Sequence, residues 1–401
     1  MYTFAGYGIG NPVIFWLLRI LLLYIFVYCG RGISYDTPKR FNKYAWIAIV
    51  SYSLIEGLRW LRGADYPHYY DDLVTLFGQY PGGISGGLIT PDPEPIYELW
   101  CYIFYYSGLP YWIAFVIYSG LLISGVLMVL KNIPKSAFWA LPLFFILTIS
   151  SSENLIRQYI AESFLLFSLY FYLSNNIKKM YISFILVFLI HYSGIIPIIV
   201  FLFFIYLPNR FLKRLENKYI VYVYLFIYIY VYFFWDTSQF SSFAEWISNF
   251  HLSENTKGAS YIENSERWFS DEGSISNVLG TKANSISMIN MLVKLLTYLS
   301  VIYYGFNLIL RNHKYRIFFY MSYIAIIFKT IGGDIEMFAR FYNWFVIFLP
   351  FLIGLYLTEY KINTHIKILL YIIYGCFFIW YSFLNSIFSV SIFGYGFIWN
   401  R

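Results

Sequence analysis

Residues 151–194 read SSENLIRQYIAESFLLFSLYFYLSNNIKKMYISFILVFLIHYSG. Arg157 and Gln158 open a strongly apolar segment, Glu162 lies about one turn further in, and Lys178-Lys179 close it. A second apolar run climbs to His191 and stops at Tyr192-Ser193-Gly194. Long apolar runs parted by a pair of lysines read as membrane helices joined by a short polar turn. Charged and amide groups at the mouth of such a helix are costly in lipid unless they face protein, water or a substrate. The plain reading is an interfacial arginine and a histidine that satisfies a turn. The rest of the chain argues for more.

The composition extends the membrane reading to the whole chain. Of 401 residues, 60% are hydrophobic and only 12% charged. A soluble globule of this size has no place to hide that much apolar side chain. Apolar runs of crossing length recur from end to end, so the chain is polytopic. Cys29, Cys101 and Cys376 lie in or beside apolar runs without CxxC spacing, which points to neither a disulfide framework nor a zinc site. The net charge of +7 encodes topology and is no argument for nucleic acid. No nucleotide-binding glycine loop or HExxH motif is present.

Loop charge then orders the crossings. The first run, Val13 to Cys29, has no small-residue cleavage site after it and reads as a retained helix. Arg31, Lys39, Arg40 and Lys43 place the next loop inside and the N-terminus outside. A helix from about Tyr44 to Leu58 returns outward to a long segment rich in Gly, Pro and Asp. Pro93-Glu94-Pro95 starts a short aromatic amphipathic helix from Ile96 to Ser107, which Gly108-Leu109-Pro110 breaks. Tyr111 to Leu130 crosses inward, and Ala137 to Ile149 crosses back. Lys178-Lys179 and the basic loop with Arg210, Lys213, Arg214 and Lys218 are both inside, so the apolar residues between them form a hairpin turning at His191. That depth matches the depth of Arg157. The expected fold is all-α: one polytopic membrane domain over residues 1–401, with roughly 12 transmembrane segments including the short hairpin, and two external loops, 59–109 and 236–284.

Basic residues break the topology rule at helix mouths on the outer side: Arg59 and Arg62, Arg157, Lys294, and Arg340. Arg suits bidentate capture of phosphate oxygens, so a diphosphate in the outer leaflet is a sensible ligand. Taken singly, each is as readily an interfacial anchor or a local ion-pair partner. Glu153 lies four residues before Arg157, and Glu336 four before Arg340, at the spacing of such pairs. Asp65, Asp71, Asp72, Glu94, Glu98 and His191 are candidate general bases on the same side.

The ordered set is Arg59…Asp65-Tyr66, Glu94-Pro95 before a short helix, Arg157-Gln158 after serines, His191-x-Ser193 ending a helix, and Arg340 opening a late one. It resembles the EpsG-like and Wzy-type bacterial polysaccharide polymerases over about Ala45 to Gly354, and departs from them in 236–284, where no motif is recognised. The resemblance implies a multi-pass enzyme of the bacterial cytoplasmic (inner) membrane with its site facing outside. Such an enzyme is a metal-independent glycosyltransferase without cofactors. It joins undecaprenyl-diphosphate-linked oligosaccharide repeat units, and one lipid diphosphate leaves. Its partners are that lipid-linked glycan, the bilayer and a chain-length regulator protein. Together with the charge reading, it casts Arg157, His191, Arg340 and Asp65 as catalytic, and Arg59, Arg62, Tyr66, Glu94, Gln158, Ser193 and Lys294 as substrate-binding. Tyr66, Tyr69 and Trp100 are candidate sugar-stacking rings. Two other classes stand beside it: a lipid-linked oligosaccharide flippase, which would line a cavity across the full membrane depth with charge, and a membrane acyltransferase, which would want its His near the inner side.

Overall fold

The computed structural model describes residues 12–60, 65–75, 94–235, 288–332, 336–378 and 396–397. Arg62 and the whole loop 236–284 lie outside the described residues. The helices in chain order are α1 (Pro12–Ser34), α2 (Pro38–Gly57), α3 (Tyr66–Val74), α4 (Pro95–Ser107), α5 (Tyr111–Asn132), α6 (Ala137–Asn154), α7 (Ile156–Leu173), α8 (Ile177–Ile190) and α9 (Ile195–Tyr206). They continue with α10 (Asn209–Leu215), α11 (Ile220–Phe234), α12 (Met288–Arg311), α13 (Arg316–Gly332), α14 (Glu336–Val346), α15 (Leu349–Glu359) and α16 (Thr364–Tyr374). Among the described residues, the exception to an all-α reading is a two-residue antiparallel pair, β1 (Arg59–Trp60) with β2 (Gly396–Phe397).

The chain is a membrane protein built from apolar helices. Among the described residues, five helices are long and apolar enough to cross: Val13–Ser34, Tyr111–Asn132, Pro134–Asn154, Met291–Arg311 and Phe338–Glu359. Tyr192–Tyr206, Ile220–Phe234 and Thr364–Phe378 are apolar but shorter. Five is fewer than the roughly 12 crossings expected from loop charge. Two of the expected crossings are the hairpin arms, which are short. At ~1.5 Å per residue, α8 and α9 reach about 21 and 18 Å, short of a bilayer core of ~30 Å.

Where the sequence reading treats residues 1–401 as one domain, the packing falls into two compact units, Met1–Ile198 with Trp380–Arg401, and Ile199–Ile379. In the first unit, α1 packs on α2 and α6, α2 on α5, and α5 and α8 on α7. Membrane helices associate by close packing, since lipid tails are as apolar as the helices themselves. Gly57 shows how close: a Cβ there would sit 2.5 Å from the Val116 Cα and 2.6 Å from its backbone nitrogen, so α2 meets α5 backbone to backbone. Prolines enter first turns at α2, α3 and α4, where the missing N–H costs nothing. α4 ends on Gly108 at φ 66°, a left-handed cap that glycine adopts without strain, and Pro110 follows.

The second unit packs α13 against α14 and α15, with α11 and α16 on α12. Its interior is aromatic: Phe204 stacks on Tyr320 at 4.0 Å, and Trp344 is 1% exposed. One end is tied by Glu216, which meets His313 Nδ1 at 2.6 Å and Arg316 Nε at 3.4 Å. These are residues that loop charge assigns to the inner face.

Candidate functional site

Three elements of the first unit converge on one carboxylate. Glu94 stands immediately before Pro95, at the start of α4, where an acid suits the helix dipole. Its Oε2 accepts from Arg157 Nη1 at 2.5 Å, and its Oε1 meets His191 Nδ1 at 2.5 Å. Arg157 lies in the first turn of α7. His191 caps α8 in extended conformation (φ −149°, ψ 112°), and a three-residue 3-10 turn, Tyr192–Gly194, carries the chain into α9. The backbone therefore breaks at His191, as the sequence suggests.

Burial within this triad is graded. The Glu94 side chain is 8% exposed, His191 19% and Arg157 31%. The carboxylate lies inside and the two basic groups form the rim. A guanidinium already neutralises Glu94, so the imidazole need not be charged for the cluster to balance. A proton on Nδ1, directed at Oε1, leaves the lone pair on Nε2.

The aromatic bed under Arg157 comes from α3 and α4. Its guanidinium carbon lies 5.7 Å from the Tyr69 ring centre on α3 and 5.3 Å from the Tyr97 ring centre on α4. The Tyr97 hydroxyl donates to Asp72 Oδ2 at 3.0 Å. Burial, then the neighbouring Cys101 and Asp72, push that phenol well above its ordinary range, so it keeps its proton as donor. Burial raises Tyr69 as well.

A second ionic cluster lies in the same unit and is sealed. Arg19 of α1 meets Glu56 of α2 at 2.8 Å and also pairs with Glu153 at the end of α6. Arg59 Nη1 donates to Glu56 Oε2 at 3.1 Å and to the Glu56 carbonyl at 3.0 Å. Its Nη2 donates to the Glu153 carbonyl at 3.2 Å. All four residues are at most 3% exposed.

The expected site residues divide accordingly. Arg157, His191 and Glu94 come together, with Ser193 half-buried in the turn beside His191. Glu94, expected to bind substrate, is the buried partner that holds the other two. Arg59, expected as a ligand at a helix mouth, belongs to the buried ionic cluster. Tyr66 is fully buried, donates to the Arg59 carbonyl at 3.0 Å and stacks on Phe115. Tyr69 is 6% exposed, so of the three proposed sugar-stacking rings the indole of Trp100, at intermediate exposure, is the most open. Gln158 turns inward and donates to Glu162 Oε1 at 2.9 Å. Asp65 caps the approach to α3, and its backbone N–H donates to Asn154 Oδ1 at 3.0 Å. Lys294 on α12 and Arg340 on α14 are half-buried in the second unit. Arg62 lies outside the described residues, as does the side chain of Glu336.

The local pair expected between Glu153 and Arg157 does not form. Leu155 (φ −93°, ψ 55°) breaks the chain between α6 and α7, so the i,i+4 spacing is no longer helical. Glu153 turns to Arg19 instead. Sequence reasoning also passed over Tyr97 as the partner of Arg157, and Lys329, which lies over the Tyr342 ring at 5.4 Å in the second unit. The signal for Lys329 was there: a lysine three residues before Gly332-Gly333, in the last turn of α13.

The model of the EpsG family matches residues 42–397. No curated protein and no solved structure matches the chain.

Proposed function

The chain belongs to the EpsG family, and from that premise we propose that it is a polysaccharide polymerase, joining undecaprenyl-diphosphate-linked oligosaccharide repeat units at the outer face of the bacterial cytoplasmic membrane. The observation that carries this reading is the single carboxylate, Glu94, that holds Arg157 and His191 side by side at a rim. Transfer of a glycan from a lipid diphosphate asks for two groups. The acceptor hydroxyl must lose a proton as it attacks the anomeric carbon, and the departing diphosphate gains charge as the C–O bond breaks. His191 supplies the base at Nε2, with Nδ1 directed at Glu94. Arg157 supplies a fixed, forked cation at the leaving oxygens, the kind of preorganised charge that is a major catalytic term. Glu94 keeps both in place and lowers the net charge of the site without reaching the rim itself. On this reading a chain-length regulator is the expected protein partner.

The test is the polysaccharide made by cells lacking the protein. Loss of long chains with single repeat units still displayed outside is expected. Retained long chains would sink the reading. Loss of exported single units would point to transport across the membrane instead of polymerisation.

A further inference from the structure

Arg59 has the same side chain as Arg157 and lies in the same unit, yet its surroundings forbid the same work. Both of its terminal nitrogens are committed, Nη1 to Glu56 and Nη2 to the Glu153 carbonyl. The rings of Tyr66 and Phe115 each lie 5.9 Å from its guanidinium carbon. The small cavity that it borders with Tyr52, Tyr118, Ser152 and Tyr159 measures about 20 Å³. That is space for about one water and not for a diphosphate.

What Arg59 does hold is the joint that aims Arg157. The break at Leu155 separates α6 from α7, and Arg157 follows two residues later. Three contacts from three directions fix the residues just before that break. Arg19 of α1 takes the Glu153 carboxylate, Arg59 of β1 takes the Glu153 carbonyl, and the Asp65 N–H at the start of α3 takes Asn154 Oδ1. A non-helical residue between two helices is a swivel unless its neighbours are held. Glu56 completes the arrangement by pairing with both arginines at once.

We propose that Arg59 is a positioning residue: with Arg19, Glu153 and the Asp65–Asn154 contact it locks the α6–α7 joint and so sets where Arg157 points. The inference rests on the assignment of Arg157 to the lipid diphosphate. It makes the buried cluster part of the machinery at one remove, because a displacement of about 1 Å in a reacting group is enough to cost orders of magnitude in rate.

The experiment measures turnover and KM of the purified full chain, in bilayer discs, on the lipid-linked repeat unit accumulated by cells that lack the protein. Arg59→Lys keeps a charge for Glu56 but loses the fork that also reaches Glu153. It is expected to lower kcat about 10-fold with KM unchanged. In an Arg157→Lys background the same change is expected to cost less than about 3-fold, since residues acting through one another do not contribute independently. Two losses that multiply, or a rise in KM, would overturn the proposal and return Arg59 to the role of a direct ligand. Glu153→Gln is the second arm. It is expected to lower kcat as Arg59→Lys does, whereas a kcat at the wild-type level would overturn the positioning role. Should the charge variants fail to insert, Asn154→Ala keeps all four charges and removes one contact of the joint. Its expected kcat is several-fold down at unchanged KM, and wild-type kinetics there would also overturn the proposal. A wild-type protein that makes no polymer sinks the polymerase reading and this inference with it. An active wild type with multiplying losses sinks this inference alone.

Discussion

Two ionic clusters in one compact unit use the same residue types to opposite ends. Arg19, Glu56, Arg59 and Glu153 are sealed, at most 3% exposed, and balanced two charges against two. Glu94, Arg157 and His191 grade from a buried carboxylate to a rim, with Arg157 31% exposed. In the sealed cluster the drawn hydrogen bonds join four elements of the protein to one another. In the open one a single carboxylate serves both bases. Buried charges are tolerated when fully paired, and removal of one partner leaves the other uncompensated. Charges at a rim hold their geometry and still face a ligand. Residue type alone therefore says little about role here; partner and depth decide it.

The comparison breaks most readily at Arg19. Arg19→Ala removes the arginine that pairs with both Glu56 and Glu153 inside the protein. A loss of roughly 3–5 kcal/mol in stability is expected for such a change, read as a marked drop in the thermal unfolding midpoint of the detergent-solubilised chain. An unchanged midpoint would remove the distinction between the clusters, because it would make Arg19 dispensable to the scaffold.

Arg157→Ala should show the reverse pattern. It is expected to lower turnover by about 10²–10³, the range for losing one fixed donor at a developing negative charge, while the protein still inserts and loses less stability than with Arg19→Ala, because Glu94 keeps its contact with His191. Arg157→Lys should recover part of the rate, since Lys keeps the charge and loses the fork. Wild-type chain length in cells carrying Arg157→Ala would make Arg157 an anchor, and the open cluster would then be scaffold as well.

His191→Gln comes next, with a smaller expected effect of on the order of 10²-fold in turnover. Glutamine can donate to Glu94 from nearly the same place, so the fold is spared, but it does not take up a proton at neutral pH. Near-normal turnover by purified His191→Gln would remove the base role and turn attention to Asp65, whose side chain is half-buried at the start of α3.

Much of this was legible in the sequence, and the remainder has identifiable causes. Apolar run length gave the helices, and Gly108 with Pro110 marked the end of α4 as written. Loop charge put Arg157 and His191 at one depth, and they do share a carboxylate. What a single sequence hides is which acid meets which cation. Glu94 lies 63 residues from Arg157 and 97 from His191, whereas Glu153 sits at the tempting spacing of four. The break that spoils that spacing occurs at Leu155, with no glycine or proline to announce it. The β1–β2 pair, two residues on each strand and more than 330 apart along the chain, carries no periodic signal at all. Arg19 stands in the middle of an apolar run with no acid at helical spacing beside it. The acids that hold it inside, Glu56 and Glu153, come from helix ends 37 and 134 residues away.

Tyr97→Phe carries the smallest expected effect and sharpens the contrast most finely. The ring lies against the Arg157 guanidinium at 5.3 Å, and the hydroxyl donates to Asp72. Phenylalanine keeps the ring and gives up the hydroxyl. A net hydrogen bond is worth about 1 kcal/mol, somewhat more where its acceptor stays buried, and Asp72 is 7% exposed. A small fall in the unfolding midpoint is therefore expected, with turnover within about 3-fold of wild type if the ring face is what seats Arg157. Tyr97→Leu removes the ring as well, and the cation–π contribution of about 0.5–2 kcal/mol with it. It should lower turnover further than Phe does, by a factor that shrinks when Arg157 is already Lys. Equal turnover in the Phe and Leu variants would show that Arg157 takes its position from Glu94 and the α6–α7 joint alone, and that the aromatic bed belongs with the scaffold.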